Sequence, residues 1–400
     1  MAMGIKKLNF NFFALGALGR GLSGSDRIFM EFARRWSREF HINIYLWTEG
    51  YEMCQRQNLK NKNISFKVSL MKPWKDMGFI INYIARILEG VRLGLTLKLT
   101  NNSDTFLYSA SEFWMDSFPA LILKLRYPKL VTWVAAWYQT APNPLIGFAE
   151  GQRQERYRWK ALLYWLVQLP IKPLISRFAD FILINNENEK RHFRGFEKKL
   201  VVVLGAVDIE LISKYIKKFS KLPKIYGAVF QGRFHPQKGV IELIKIWKLV
   251  VDKIPKAKLV MMGAGPLMNK VKEEIKHLNL EKNIELKGFM FDGDEKFIIF
   301  AQSKIVVHPA LFDSGGMASA EAMAFGLPCV GFNLKSYLSY YPKGMVKIKI
   351  GDLNAFANAV LRLLANQEYR ENVGEEAFEM INRNWSWDQR AKEIFEYVKN

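Results

Sequence analysis

Short apolar runs, many of them β-branched, recur along the chain and alternate with longer stretches of helical spacing. Residues 8–15 form the first run, and a glycine-rich connection follows at 16–26. From 27 to 40, Ile28, Phe32 and Trp36 share one face while Arg34, Arg35 and Arg38 lie elsewhere, which predicts a helix. Further strands are predicted at 43–47, 64–70, 105–109, 130–136, 181–184 and 200–204. Amphipathic helices are predicted at 79–99 and 153–169, and another helix begins at 185–191. The charged stretch 214–224 suits a linker. A second series then starts at 228, with strands at 258–262, 284–289, 305–307 and 329–331. Its helices are predicted at 240–251, 267–278, 317–325 and 354–364, with one more at the end of the chain. Such alternation predicts α/β units built on parallel sheets.

Two strand-to-helix loops in the second series carry candidate chemistry. Phe312-Asp-Ser-Gly-Gly316 lies between a buried strand and a helix that Gly326-Leu-Pro328 stops. Paired glycines let a ligand approach the backbone, and the helix they open points N–H groups and a positive dipole end outward, as a diphosphate requires. Asp313 precedes that helix and Glu321 lies inside it, where an acid can take the two hydroxyls of a ribose. Read blandly, Glu321 is a solvated helix residue and the glycines a turn. In the earlier loop, Arg233 and Lys238 stand five residues apart between a strand and a helix. Such a pair can clamp one diphosphate, Arg by its fork and Lys as a point charge.

Composition narrows the class. At 400 residues the chain is long enough for two domains, and at 50% hydrophobic and 24% charged it is globular. Cys54 and Cys329 give neither a disulfide framework nor a metal-ligand spacing, and a reducing, cytoplasmic setting fits. The net charge of +21 points to anionic partners. Its cations are scattered, without Arg-Gly repeats or zinc ligands, which argues against nucleic acid. No apolar run reaches the ~18 residues of a membrane span. Asn9 and Asn11 interrupt the first apolar run, and glycines stand where a leader's cleavage site would fall, so it reads as a strand. The 153–169 helix interleaves Arg153, Arg156, Arg158 and Lys160 with Tyr157, Trp159, Tyr164 and Trp165, which suits a peripheral position on an anionic membrane face. The same residues also suit an ordinary surface helix with inward-packed aromatics. Trp137 and Gln139, in the aromatic end of the 130–136 strand, are candidates for touching an acceptor.

These motifs resemble the retaining GT-B glycosyltransferases of family four. Glu321-Ala-Met-Ala-Phe-Gly-Leu-Pro-Cys-Val330 is similar to that family's signature, and Gly232-Arg233 with Lys238-Gly239 to its Gly-Arg-x-x-x-x-Lys-Gly element. The first acid of the signature, a Glu in the family, is Asp313 here, and Gly315 replaces an aromatic. The usual Gly-x-Pro-Glu beyond Gly331 is missing, as is the histidine often found near 137–139. The resemblance implies two Rossmann-like domains facing each other across a cleft, 1–206 for the acceptor and 207–384 for the donor, with a final helix (385–400) crossing back to the first.

It further implies hexose transfer from a nucleoside diphosphate sugar to an acceptor hydroxyl, that of a lipid-linked saccharide or other glycan precursor, with anomeric retention and no cofactor or metal. Arg233, Lys238 and the amides of Gly315, Gly316 and Met317 would take the diphosphate, Glu321 the ribose and Asp313 the sugar. Gly263, Gly265, Phe289 and Met290 would line the base, while Gly21, Ser23 and Gly24 would form the loop over phosphates and acceptor. Two other readings remain open: a sugar-nucleotide epimerase or phosphorylase on the same fold, and a non-catalytic nucleotide- or carbohydrate-binding relative.

Overall fold

The computed structural model describes residues 8–17, 22–70, 77–99, 104–144, 158–313 and 315–399, with the side chains of 158–161 left out. Gly21, Arg153, Arg156 and Tyr157, and the side chains of Arg158, Trp159 and Lys160, therefore lie outside the described residues. Two compact units are present. One comprises Met1–Ala141, Leu163–Val203 and Arg390–Asn400, the other Pro142–Leu162 and Leu204–Gln389.

In the first unit the strands are β1 (Asn9–Phe13), β2 (His41–Trp47), β3 (Ile64–Ser69), β4 (Thr105–Ser109), β5 (Val131–Ala136), β6 (Phe181–Ile184) and β7 (Leu200–Val202). They form one parallel sheet in the order β3-β2-β1-β4-β5-β6-β7. Its helices are α1 (Gly24–Trp36), α2 (Thr48–Arg56), α3 (Phe79–Thr96), α4 (Trp114–Arg126) and α5 (Arg158–Phe178). Helix α1 starts earlier than its apolar spacing predicts because Ser23 and Asp26 form a capping box. Helices α3 and α4 approach closely: a Cβ at Gly90 would lie 2.7 Å from the Met115 carbonyl, and one at Gly94 2.8 Å from Ile122. Residues 187–192 make a 3-10 turn instead of an α-helix, with Asn186 as its cap.

The second unit begins with α6 (Ile209–Lys218), capped by Asp208. It runs through the first half of the stretch expected to be a linker, because Ile209, Leu211, Ile212, Tyr215 and Ile216 supply an apolar face that packs into the core. The remaining elements are β8 (Tyr226–Gln231), α7 (Val240–Lys253), β9 (Leu259–Met262), α8 (Met268–His277), β10 (Ile284–Gly288), α9 (Asp294–Ala301), β11 (Ser303–His308), α10 (Met317–Met323), β12 (Cys329–Phe332), α11 (Tyr337–Tyr340), β13 (Met345–Ile348), α12 (Leu353–Ala365) and α13 (Gln367–Asn384). Their strands form a parallel sheet in the order β10-β9-β8-β11-β12-β13.

The last helix, α14 (Trp387–Lys399), belongs to the first unit from Arg390 onward. Trp36 donates its indole N–H to the Ala391 carbonyl at 2.9 Å, and Phe395 packs against Phe10, Trp36 and Phe40. In each sheet the winding direction reverses once, between β1 and β4 and between β8 and β11. Ligands of open α/β sheets bind beyond the carboxyl ends of the strands at such a point.

Candidate functional site

Beyond the carboxyl ends of β8 and β11 the two loops singled out above meet. Gly239, at the start of α7, has φ 63°, and a Cβ there would lie 1.9 Å from the Pro309 carbonyl oxygen. The amides of Leu311 and Phe312 donate to the Gln237 carbonyl at 2.8 and 3.2 Å. This lock sets Lys238 against Asp313, with Nζ 2.5 Å from Oδ2. His308, the last residue of β11, places Nε2 3.2 Å from the same oxygen, and the Tyr337 hydroxyl donates to it at 3.1 Å. Ser336 donates to the Asp313 carbonyl at 2.8 Å.

Burial alone would raise the Asp313 pKa, but the Lys238 charge and the His308 hydrogen bond overcome it and hold the carboxyl well below the usual range. His308 is shifted the other way from a charged state, because burial lowers its pKa more than Asp313 raises it. A neutral imidazole beside a carboxylate carries its proton on Nε2 and donates it. His308, Ser336 and Tyr337 were not foreseen as site residues. Pro309 made His308 look like the end of a strand, and 333–336 departed from the motif the family led one to look for.

The glycines of the later loop are hemmed in by side chains of the same unit. A Cβ at Gly315 would lie 2.7 Å from the Tyr340 hydroxyl, and one at Gly316 3.1 Å from Tyr337. Gly316 (φ 59°) is the left-handed residue that opens α10, and its carbonyl accepts from the Tyr341 hydroxyl. Close approach is thus demanded first by tyrosines of this chain. Met317 likewise packs over Gly205, where a Cβ would lie 2.1 Å from its side chain.

Glu321, inside α10, is neither solvated nor alone. Its Oε2 lies 2.5 Å from Lys296 Nζ and accepts from Gln231 Nε2 at 3.0 Å. Lys296, on α9, is 2% exposed, also pairs with Asp292 at 2.8 Å, and lies over the rings of Phe297 and Phe300. The Gln231 Oε1 is buried and finds no hydrogen-bond partner among the described residues, so it remains an acceptor for a hydroxyl. Lys296 directly precedes the apolar run Phe297-Ile-Ile-Phe300, and that signal went unread.

Arg233 is exposed on the loop that carries Lys238. Gly263 and Gly265 are explained by packing: Cβ atoms there would lie 1.8 Å from the Gly232 carbonyl and 2.5 Å from that of Phe234. Phe289 is partly exposed and edge-on to Phe291, and Met290 is half-buried against the core. Among the described residues no group of three or more His, Cys, Asp or Glu is placed to hold a metal ion.

In the first unit Trp137, Ser23 and Gly24, expected near the acceptor, have structural roles. Trp137 is fully buried, donates to Thr140 at 2.9 Å and meets Phe193 edge-on, so it belongs to the core. Ser23 and Gly24 are the cap and first residue of α1. Gln139 turns its carbonyl to Tyr164 (3.0 Å) and Gln168 (2.8 Å). Tyr164 also bonds Glu112, and Ser111 and the Gly16 amide bond Asp116. Burial pushes the Glu112 and Asp116 carboxyls up to about 7.

Two parallel-sheet units, the second with cations and carboxylates gathered at its switch point, define the GT-B class of glycosyltransferase folds. Residues 212–380 match the family described as Glycosyl transferases group 1. An uncharacterized glycosyltransferase of Methanocaldococcus jannaschii is 26% identical over 220 residues, which are 52% of this chain and 49% of the relative. The UDP-Gal:alpha-D-GlcNAc-diphosphoundecaprenol alpha-1,3-galactosyltransferase of Escherichia coli is 29% identical over 177 residues, 41% of this chain and 45% of that one. The chain spans about half the length of these curated relatives. In fold it is similar to Anabaena HepE, solved in complex with UDP and glucose, with TM-score 0.71 and 14% identity over 99% of this chain and 100% of that one.

Proposed function

We propose that the chain is a retaining glycosyltransferase that moves a hexose from a nucleoside diphosphate sugar to a hydroxyl of a glycan or lipid-linked acceptor. The observation that carries this reading is the convergence of Lys238, Asp313 and Glu321 beyond the strand ends of one switch point. The Lys238 ammonium has three donors and spends one on Asp313, so two can face a diphosphate, with Arg233 on the same loop. Both cations would stabilise charge as it builds on the leaving group. The Glu321 carboxylate and the free Gln231 acceptor suit two ribose hydroxyls.

In the step, the bond from the anomeric carbon to the diphosphate oxygen breaks. A bond to the acceptor oxygen forms on the same face of the sugar. The acceptor proton passes to the departing phosphate, and the nucleoside diphosphate leaves. With two cations at the leaving group, the reaction needs no metal, and turnover should persist in chelator. The named activity of the Escherichia coli relative supports a lipid-linked acceptor, and the UDP and glucose of the HepE complex support a uridine donor.

A second reading, nucleotide binding without transfer, draws on one feature: the Asp313 Oδ2 already has Lys238, His308 and Tyr337 as partners. Release of nucleoside diphosphate from UDP-hexoses, with and without a polyprenyl-diphosphate-linked saccharide, separates the two. Acceptor-dependent release, lost in Lys238→Met, is expected. Nucleotide binding with no release under any condition would favour the second reading.

A further inference from the structure

Lys296 occupies a place in α9 where burial favours an apolar side chain. Its neighbours Phe297, Ile299 and Phe300 are all buried in the second unit, and Lys296 itself is 2% exposed. Taking an ammonium out of water is costly, and two carboxylates compensate it here: Asp292, just before α9, and Glu321, on α10. A buried ion pair is a poor source of stability, because apolar side chains of similar volume commonly serve a fold as well or better. Its best-attested use is to fix one geometry.

Two features of the unit meet at the Lys296 Nζ. The first is the loop from β10 to α9, which carries Phe289 and Phe291 as an edge-to-face pair with centroids 4.9 Å apart, both partly exposed. Asp292 directly follows that pair and holds Nζ at 2.8 Å. The second is Glu321. Lys296 and Gln231, the last residue of β8, reach the same oxygen, Oε2, at 2.5 and 3.0 Å. Side chains of β8 and α9 thus converge on one carboxylate oxygen of α10. A glutamate held at one end only would sample several rotamers, whereas Glu321 is held at its far end from two sides. The Gln231 amide donates to it through Nε2, so its unpartnered Oε1 stands within one side chain's width of the carboxylate. A vicinal diol presents two O–H donors at a fixed separation and requires acceptors that are equally fixed.

We propose that Lys296 is the positioning residue for ribose recognition. It fixes the Glu321 carboxylate beside Gln231 for a vicinal diol, and through Asp292 it ties the Phe289–Phe291 loop to the same point. The proposal rests on the nucleoside diphosphate reading of this unit, and it adds a specificity: ribonucleotides over 2′-deoxyribonucleotides. A site built to bond a hydroxyl leaves buried polar groups unpaired when the ligand lacks that hydroxyl.

The test is isothermal titration of the full chain with UDP, 2′-deoxy-UDP and inorganic pyrophosphate, as wild type, Lys296→Met and Lys296→Met/Asp292→Asn. The double variant is included because Asp292 and Glu321 share one ammonium, and without it two carboxylates would be left together uncompensated. Wild type is expected to bind UDP roughly tenfold or more tightly than 2′-deoxy-UDP. In both variants UDP is expected to weaken until the ratio is about one, while pyrophosphate, which reads Arg233 and Lys238, binds as in wild type. A ratio that persists in the variants would overturn the proposal. An equal loss of all three ligands, or failure of both variants to fold by melting temperature, would also overturn it, since Lys296 would then be structural only. Wild type that binds UDP with no preference over 2′-deoxy-UDP would overturn this proposal alone. Wild type that does not bind UDP would overturn the reading it rests on as well.

Discussion

Asp313 lacks one methylene relative to the glutamate that the resembled family carries at its position, and its surroundings are built for the shorter side chain. Lys238, His308 and Tyr337 all reach Oδ2, and Ser336 holds the main chain. Asn at 313 would keep the shape and remove the charge. It leaves Lys238 without its buried partner, at a cost of about 3–5 kcal/mol, so Asp313→Asn is expected to lower the urea midpoint of the second unit as well as turnover. The pH dependence has a definite sign. Asp313 is depressed, so its contribution is present above the ordinary carboxylate range and is lost as acid protonates it. His308 is also depressed, so the folded state binds fewer protons than the unfolded one below the ordinary histidine pKa, and stability again falls with acid. Acid sensitivity of the second unit, followed by urea titration between pH 7 and pH 4, should diminish in His308→Gln. At this scale the sequence named Asp313, Lys238 and Glu321 through loop spacing. It missed His308, Tyr337 and Lys296 because three separate elements bring them in, and no local spacing records that.

Elements were most legible where periodicity and punctuation agreed. β4 and β6 coincide with their apolar runs, and α7 starts directly after Lys238-Gly239. Start points went astray where a cap decided them, as at Ser23, and α6 was hidden because lysines interrupt its apolar face. Helix α3 taught the opposite lesson: its spacing read as amphipathic, yet the face left outside is apolar too. The loop lock yields a sharp prediction. Gly239→Ala puts a Cβ against the Pro309 carbonyl in a left-handed conformation, which alone costs about 1–2 kcal/mol. Displacement of the β11–α10 loop adds to this, so both the midpoint of the second unit and nucleotide affinity should fall. Gly326→Ala, at φ 77° and with nothing within 4 Å, serves as the control for backbone strain without the contact.

Across the molecule, Glu112 and Asp116 of the first unit respond to pH in the opposite sense from Asp313 and His308 of the second. Glu112 and Asp116 in the first unit have pKa values raised to about 7 by burial. Through these two carboxyls the folded first unit takes up protons that the unfolded chain does not between about pH 4.5 and 7, and the stability they contribute falls as pH rises through that window. Glu112→Gln with Asp116→Asn should flatten that fall, as urea titrations at pH 5 and pH 7.5 would show. The α/β alternation was readable because each sheet repeats one simple pattern. The place of Trp137 was not, because an aromatic that looked like a contact residue proved to be core.

The central claim is that Arg233, Lys238, Asp313 and Glu321 form the site for a nucleoside diphosphate. Thermal shift with UDP, GDP, ADP and dTDP, on wild type and on Lys238→Met, tests it most directly. One nucleotide at about a hundredfold excess over its Kd should stabilise wild type by roughly 2.7 kcal/mol, and the variant by much less. Equal shifts in both proteins, or none with any nucleotide, would contradict the account.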